Sequence, residues 1–299
     1  ADRPYTHLAC RDDLRELAAL YPSSIALKTA GHSLWGRPLT YAVLGAGPHK
    51  VLAVGGTHGR EWMTSLLLAR MIEEYAAAAR DGRDLAGYDV RSVLRRTTLI
   101  VMPMMNPDGV DIAIKGLAAG GDGRLLRRAN LGREDFSSWK ANGRGVNLNL
   151  QFRAGWDRAV SEAGPHYEKY KGRAPESEPE ARALADLIRA TRPDVVLAYH
   201  ASGRVIYWYY YQDGSRYRRD LALARELGRL TGYRPAVENR FTRHGGLKDW
   251  VIEAFGRPAF TIEIGRLTKD RALPLSSFDE VWRENRSTPL FLGKWLDAR

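Results

Sequence analysis

The chain has 299 residues, of which 44% are hydrophobic, and this length suits one large α/β domain or two small ones. Lysine and arginine number 46 against 35 aspartates and glutamates, and the net charge of +11 favours anionic partners such as nucleic acid, acidic wall polymers or membrane surfaces. Cys10 is the only cysteine, which excludes an internal disulfide and a thiolate zinc site, so a metal would need His, Asp or Glu ligands.

Apolar side chains recur at helical spacing in some segments and run continuously or alternate in others. In chain order, this pattern predicts helix 11–20, strands 39–45 and 50–56, helix 61–79, strand 97–107, helix 175–191, strands 194–200 and 205–211, helices 220–232 and 246–256, strand 258–264, and helix 279–296 with a break at Pro289. Strands that alternate with helices predict a single α/β domain over residues 1–299, with a mixed or mostly parallel sheet and helices on both faces.

One long segment has little periodicity. Residues 111–146 are rich in Gly, Arg and Asn, which predicts a functional loop within the domain. Just before it, the apolar run 97–107 enters Asn106-Pro107-Asp108-Gly109, a sequence typical of a loop that follows a buried central strand.

Polar residues follow several predicted strands at the edge of the sheet where ligands bind in such folds. His58 and Glu61 lie at a strand-to-helix turn rich in glycine, His200 ends another strand, and Glu263 ends a third. Together, His58, Glu61 and His200 would leave a fourth coordination position open, as in catalytic zinc sites. Each of these features taken alone has an alternative to a metal site. The His-x-x-Glu spacing occurs by chance in many proteins, His200 could be a hydrogen-bonded residue at a strand end, and Glu263 could form a structural salt bridge.

Four ordered motifs resemble the zinc carboxypeptidases of the carboxypeptidase A type. Residues 58–61 match the His-x-x-Glu motif with its Arg-Glu pair, and 106–109 match the Asn-Pro-Asp-Gly loop. His200 follows the expected strand, and Glu263 stands in Phe-Thr-Ile-Glu as the family's general base does. The similarity runs from about residue 5 to 298 and implies a twisted sheet of about eight strands.

The resemblance assigns roles to these residues. It implies that His58, Glu61 and His200 hold one Zn²⁺ per chain, and that Glu263 takes a proton from the attacking water and passes it to the leaving amine. It also implies that Arg60 faces the substrate; the alternative for Arg60 is a surface salt bridge.

The stretch that resembles the family's carboxylate-binding motif departs from it at one position. Asn149 is retained as a substrate-binding residue, but Leu150 stands in the place of the arginine that binds a free C-terminal carboxylate. Leucine cannot pair with a carboxylate, so ordinary carboxypeptidase activity becomes the second choice.

A second departure concerns the pocket for the leaving residue. Lys248, just before Asp249, falls at the floor of that pocket, where an ammonium would favour an acidic side chain; the alternative is a helix face in solvent. The family's mobile tyrosine falls near Phe241, which has no hydroxyl, and His244 nearby could supply a polar contact.

The cation that would stabilise the oxyanion has two candidates. Lys140 fits by its distance from residues 145–149, and Arg127 fits a different spacing. The sequence does not decide between Lys140 and Arg127.

These departures occur together in a bacterial branch of the family, the γ-D-glutamyl-L-diamino acid peptidases. This resemblance implies hydrolysis of the bond between D-glutamate and meso-diaminopimelate in peptidoglycan peptides, because diaminopimelate carries a carboxylate that Lys248 would attract. The alternatives are a metallocarboxypeptidase that removes acidic C-terminal residues and a non-enzymatic module that binds wall polymers or other polyanions.

The remaining expectations concern partners and location. The basic residues do not interleave with aromatics as in nucleic-acid-binding motifs, and the apolar segments are too short and too charged to span a membrane, so we expect neither a nucleic-acid partner nor a membrane span. Residues 1–9 lack the pattern of a signal peptide. We expect a secreted or wall-associated protein whose leader has been removed, with a cytoplasmic location, including in sporulating cells, as the alternative. The oligomeric state stays open.

Overall fold

A computed structural model of the chain describes residues 3–238 and 244–299. The helices of this part of the chain are α1 (His7–Leu20), α2 (Trp62–Asp81), α3 (Val90–Arg96), α4 (Pro107–Lys115), α5 (Gly123–Ala129), α6 (Pro179–Thr191), α7 (Gly214–Thr231), α8 (Leu247–Phe255), α9 (Phe278–Asn285) and α10 (Thr288–Asp297). The strands are β1 (Ile25–His32), β2 (Pro38–Leu44), β3 (His49–Val54), β4 (Asp84–Leu85), β5 (Tyr88–Asp89), β6 (Thr97–Met102), β7 (Val195–Ala201), β8 (Val205–Tyr207), β9 (Arg234–Ala236) and β10 (Ala259–Ile264).

Eight strands form one mixed sheet in the order β1-β2-β6-β3-β7-β10-β8-β9, and β4 and β5 form a separate small ribbon. The pairs β6·β3, β3·β7, β7·β10 and β8·β9 are parallel, whereas β1·β2, β2·β6 and β10·β8 are antiparallel. The predicted α/β class, with a mostly parallel sheet of eight strands, is confirmed. Four central parallel strands therefore end at one edge of the sheet.

Helices cover both faces of this sheet, which explains why its central strands are apolar without alternation. On one face, Val51 of β3 and Leu197 of β7 belong to a core shared with α1, α2, α3, α7, α9 and α10. On the other face, Leu52 and Val196 pack with α6 and α8. None of the helices in the described ranges is long and apolar enough to cross a membrane.

The structure differs from the sequence-based expectation at several elements. β1 was not predicted, because its half-exposed burial pattern lacks a strict two-residue period. The segment 111–146 is not one loop, since α4 and α5 occupy part of it. Pro107 begins α4, and the Asn106 side chain caps that helix by accepting a hydrogen bond from Gly109 N, so the Asn-Pro-Asp-Gly motif is a helix start.

The other predicted elements are confirmed with shifted ends. The predicted strand 205–211 is only three residues long as β8, and its aromatic continuation leaves the sheet. The predicted break near Pro289 separates α9 from α10, and Pro289 occupies the first turn of α10, where a missing N–H costs nothing.

Candidate metal centre and substrate cleft

The turn after β3 requires glycine at two points. Gly56 has a φ of +58°, and a Cβ there would lie 2.5 Å from Ser65 Oγ. A Cβ on Gly59 would lie 2.2 Å from the carbonyl oxygen of Gly109. The backbone therefore passes so close to α2 and α4 that side chains are excluded, and the single 3₁₀ turn Gly59–Glu61 follows directly.

The Asn106 side chain ties this turn to a distant loop. Its amide nitrogen donates to the carbonyl oxygens of Thr57 and Ala141, each at 3.1 Å. Asn106 is fully buried, so these bonds satisfy an amide that could not reach water. The motif after β6 thus positions the backbone around the candidate metal centre rather than contributing a ligand.

Three predicted ligands meet at the carboxyl edge of the sheet. His58 Nδ1 lies 2.9 Å from Glu61 Oε1, and His200 Nδ1 lies 3.0 Å from Glu61 Oε2. The two Nδ1 atoms are 3.2 Å apart, and one ligand atom from each of the three residues lies within 4.8 Å of the others. All three side chains are buried, so this cluster could hold a metal ion.

Burial and mutual charge set the protonation of the cluster. Burial lowers the pKa of His58 to about 4. Burial acts to raise the pKa of Glu61, but attraction and hydrogen bonding from His58 when that imidazole is protonated, and from His200, outweigh burial and hold the pKa of Glu61 well below its usual value. Burial acts to lower the pKa of His200, yet its hydrogen bond and attraction to Glu61 raise it overall. At neutral pH, Glu61 is therefore ionised and His58 neutral.

Asn147 selects the tautomer of His58. Its Oδ1 accepts a hydrogen bond from Asn149 N at 2.9 Å and its amide nitrogen donates to the Glu168 carbonyl at 2.7 Å, which orients Oδ1 as an acceptor. His58 Nε2, 3.1 Å from Oδ1, must then carry the proton. The neutral His58 consequently presents the Nδ1 lone pair to an ionised carboxylate, a repulsive contact that a cation between the two would relieve. The residues present fit a bound metal.

Glu263 stands beside this cluster. It is the ladder partner of His200 in the parallel pair β10·β7, and its side chain is only partly exposed. Burial raises the pKa of Glu263 to about 7, with Glu61 adding to the rise and His200 and Lys140 opposing it. A carboxyl with a pKa near neutrality can both accept and return a proton.

The structure separates the two candidate cations. Lys140 affects the pKa of His58, His200 and Glu263, which places its charge close to the cluster. Arg127 instead lies exposed in the last turn of α5. Spacing alone had made Arg127 a candidate, and the structure places its side chain in solvent on α5.

Arg60 is buried, and its guanidinium pairs with an exposed carboxylate, so the salt bridge named as its alternative is present. Its Nη2 donates to the Lys269 carbonyl at 3.1 Å, and its Nη1 lies 3.4 Å from the exposed carboxylate of Asp270. Only 5% of Arg60 is accessible, so its cationic head lies under residues 269–270 beside the cluster.

Asn149 and Leu150 lie in the 3₁₀ turn Leu148–Leu150 and are half-buried. Asn149 Oδ1 accepts from Leu247 N at 3.2 Å, so this amide also links the turn to the start of α8. Phe152 N donates to the Gly245 carbonyl, which fixes the same two segments to each other. The retained asparagine therefore has a structural partner.

Lys248 does not face solvent, so the helix-face alternative is wrong. Its side chain is 2% accessible, and its ammonium contacts Asp249 Oδ1 closely, donates to the Tyr209 carbonyl at 3.0 Å and lies 3.4 Å from Glu238 Oε2. Burial acts to lower the pKa of Lys248, but the two carboxylates raise it overall. All three ammonium protons have partners, so Lys248 does not present a bare positive charge.

The residues proposed in place of the mobile tyrosine have different outcomes. His244 is buried, and its Nδ1 lies 3.2 Å from Tyr210 Oη. Phe241 lies outside the described residues.

Three residues of the site were not predicted: Asn147, which faces His58, Glu168, which pairs with Lys140 at 2.9 Å, and Glu238, which pairs with Lys248 at 3.4 Å. Asn147 stands next to the carboxylate-binding motif and could have been suspected for that reason. Glu168 and Glu238 had no sequence signal, because each lies in an irregular part of the chain and has its partner at least ten residues away.

The zinc carboxypeptidase family, peptidase M14, matches the chain over residues 10–288. The gamma-D-glutamyl-L-diamino acid endopeptidase 1 of Lysinibacillus sphaericus is 33% identical over 286 residues, which cover 94% of this chain and 70% of that protein.

Solved structures share the fold. Bovine thrombin-activatable fibrinolysis inhibitor, in complex with tick carboxypeptidase inhibitor, superposes with a TM-score of 0.81 at 19% identity and covers 99% of this chain and 98% of its own. The murein-tripeptide amidase MpaA from Escherichia coli O157 gives a TM-score of 0.56 at 22% identity, with 90% and 92% of the two chains covered. At these identities the likeness concerns architecture alone.

Proposed function

The chain belongs to the zinc carboxypeptidase family of metallopeptidases, and we propose that it hydrolyses the γ-D-glutamyl to meso-diaminopimelate bond of peptidoglycan peptides. The cluster of His58, Glu61 and His200, with Glu263 beside it, supports peptide hydrolysis. The choice of substrate draws on the 33% identity to a protein named gamma-D-glutamyl-L-diamino acid endopeptidase, and on Leu150 in place of a carboxylate-binding arginine.

We assign Zn²⁺ to His58, Glu61 and His200, one ion per chain. Two imidazole nitrogens and a carboxylate are the ligand set of catalytic zinc in carboxypeptidases. When bound, zinc supplies Lewis-acid chemistry that polarises a carbonyl and lowers the pKa of water. The protein's own part is to deliver an ionised Glu61 and a His58 whose Nδ1 is free, as Asn147 arranges.

Glu263 acts as the base and then the acid of the reaction. Its carboxylate takes a proton from the attacking water and returns it to the nitrogen of the leaving amine as the peptide bond breaks. Lys140 faces the oxygen that becomes negative when the carbonyl is attacked, and its ammonium stabilises that charge. Arg60 lies on the same buried edge and binds the substrate there.

The substrate side of the cleft suits a leaving residue that is not recognised by its C-terminal carboxylate. Leu150 offers no charge, and Asn149 and His244 offer polar contacts. A carboxylate of the substrate would reach Lys248 by replacing Glu238, because the Glu238 side chain is 24% exposed whereas that of Asp249 is 4% exposed. Diaminopimelate, with a carboxylate at the far end of its side chain, has the required group.

A muropeptide digest tests this proposal. The zinc-loaded protein is incubated with purified L-alanyl-γ-D-glutamyl-meso-diaminopimelate, and mass spectrometry follows release of diaminopimelate. We expect release by the wild type and none by the Glu263→Gln variant. A zinc-replete wild type that leaves this bond intact would refute the proposed substrate.

The second candidate is a carboxypeptidase specific for acidic C-terminal residues, which the buried Lys248 favours. C-terminally amidated substrates separate the two activities, because only an enzyme that needs the free carboxylate loses its activity on them. Retained cleavage of amidated muropeptides supports the wall peptidase. A wall substrate also suits a secreted or wall-associated location, and cell fractionation with an antibody to the chain would test it.

A further inference from the structure

The charged head of Lys140 is held by one defined partner. Lys140 Nζ lies 2.9 Å from Glu168 Oε1, and the two side chains are 17% and 22% exposed. Both side chains are largely shielded from water, so salt screens their attraction less than it screens a pair on the surface. Glu168 therefore restricts where the ammonium can lie.

The backbone of Lys140 is fixed independently of this ion pair. Lys140 N and Ala141 N donate to the Tyr167 carbonyl at 2.8 and 2.9 Å. The Lys140 carbonyl accepts from Gly59 N at 3.1 Å, next to the ligand His58. Backbone bonds anchor the start of the side chain beside the metal centre, but four rotatable bonds separate that anchor from the ammonium. The Glu168 carboxylate constrains the free end.

Glu168 is itself anchored to the candidate metal centre. Its backbone nitrogen donates to His166 Nδ1 at 3.0 Å, and its carbonyl accepts from Asn147, the residue that faces His58. Burial acts to raise the pKa of Glu168, but the charge and hydrogen bond of Lys140, with Arg60 and His58, lower it overall. An ionised carboxylate on a fixed backbone is suited to hold a flexible cation in place.

We infer that Glu168 is a positioning residue that holds the Lys140 ammonium where negative charge develops on the substrate. The inference rests on the proposed function, because it assumes that Lys140 stabilises an oxyanion. Glu168 acts through Lys140 and does not itself touch the reacting atoms. Its side chain and its carbonyl serve two different parts of the site, so a side-chain substitution leaves the Asn147 contact intact.

The Glu168→Gln variant tests this inference, with Glu162→Gln, an exposed carboxylate of the same segment, as the matched control. We expect kcat to fall about tenfold in Glu168→Gln with KM changed less than about twofold, because the donor is misplaced for the transition state and not for the ground state. Zinc content, measured by elemental analysis, should match that of the wild type. Glu162→Gln should behave as the wild type in all three measurements.

A double-mutant cycle separates positioning from general structural support. Lys140→Met should lower kcat about a hundredfold, and adding Glu168→Gln to it should change kcat by less than about twofold. A further tenfold loss in the double variant, or loss of zinc from Glu168→Gln, would overturn the inference.

A spectroscopic measurement tests the contact without relying on turnover. The ¹H–¹³C signal of the Lys140 Cε group, assigned by its disappearance in Lys140→Met, should shift in Glu168→Gln and stay in place in Glu162→Gln. An unchanged signal in Glu168→Gln contradicts the inference alone. A wild type that hydrolyses no peptide at all contradicts the proposed function, and with it the catalytic meaning of the contact.

Discussion

Glu263 and His200 are directly opposite each other in the parallel ladder between β10 and β7. Neighbouring residues of a parallel ladder project their side chains to the same side of the sheet, so the register alone brings the candidate metal ligand His200 and the proposed base Glu263 to the same place. On the other edge of β10, Glu263 pairs with Val205 in the antiparallel ladder between β10 and β8. The spacing between ligand and base is therefore a property of the strands rather than of a mobile loop.

The first prediction concerns Glu263. Glu263→Gln should lower kcat by at least about a hundredfold, because an amide cannot accept the proton, while zinc content stays unchanged. Steady-state kinetics on the muropeptide and elemental analysis of the same sample give both values. Full turnover by this variant would mean that another group is the base.

Zinc binding provides the second prediction. His200→Ala should lose most of its zinc, since it removes one of three protein ligands, whereas His49→Ala, at the start of β3 and remote from the carboxyl edge, should retain it. Zinc content after dialysis against a weak chelator measures this difference. Equal zinc in the two variants would contradict the assignment.

The third prediction concerns the buried pair of Lys248 and Asp249. Lys248→Met should destabilise the protein by about 3 kcal/mol, because it leaves a buried carboxylate without its cation. Adding Asp249→Asn should recover part of that loss by removing the unpaired charge. Urea unfolding measures the free energies, and a Lys248→Met variant as stable as the wild type would contradict the predicted cost of the unpaired carboxylate.

Glu180 is the subject of the fourth prediction. It is fully buried and accepts hydrogen bonds from Leu34 N at 2.9 Å and Asn142 Nδ2 at 3.3 Å. Burial raises its pKa from 4.5 to about 7, and the charge of Asp108 adds to the rise. Between pH 4.5 and about 7, Glu180 is therefore protonated in the folded protein and ionised in the unfolded chain.

This difference in pKa has a defined sign. Protonated Glu180 contributes to the free energy of unfolding, and this contribution is fully present below about pH 4.5. It is lost as pH rises to about 7, by at most about 3 kcal/mol. Glu180→Gln should flatten the fall in unfolding free energy over that range, and the exposed Glu162→Gln should not. Urea unfolding at pH 5, 6 and 7 measures both slopes; parallel curves for wild type and Glu180→Gln would contradict the prediction.

Sequence periodicity identified most elements and the strand ends that carry the site. Continuous apolar runs predicted the central strands because both faces of the sheet are covered, and this condition leaves a strong local signal. Exposed or short elements such as β1 and β9 leave weak signals, and the composition of 111–146 concealed α4 and α5.

What the sequence by itself determined is the set of candidate residues for the chemistry: His58, Glu61, His200 and Glu263 each follow or end a predicted strand, and strand ends meet at one edge in this class of fold. What only the tertiary structure decided is how the cations are used. It placed Lys140 beside the metal centre and Arg127 in solvent, and it showed that Lys248 is already paired. The physical reason is that an ion pair depends on distances between segments far apart in the chain, as between Lys140 and Glu168, and no local pattern encodes such a distance.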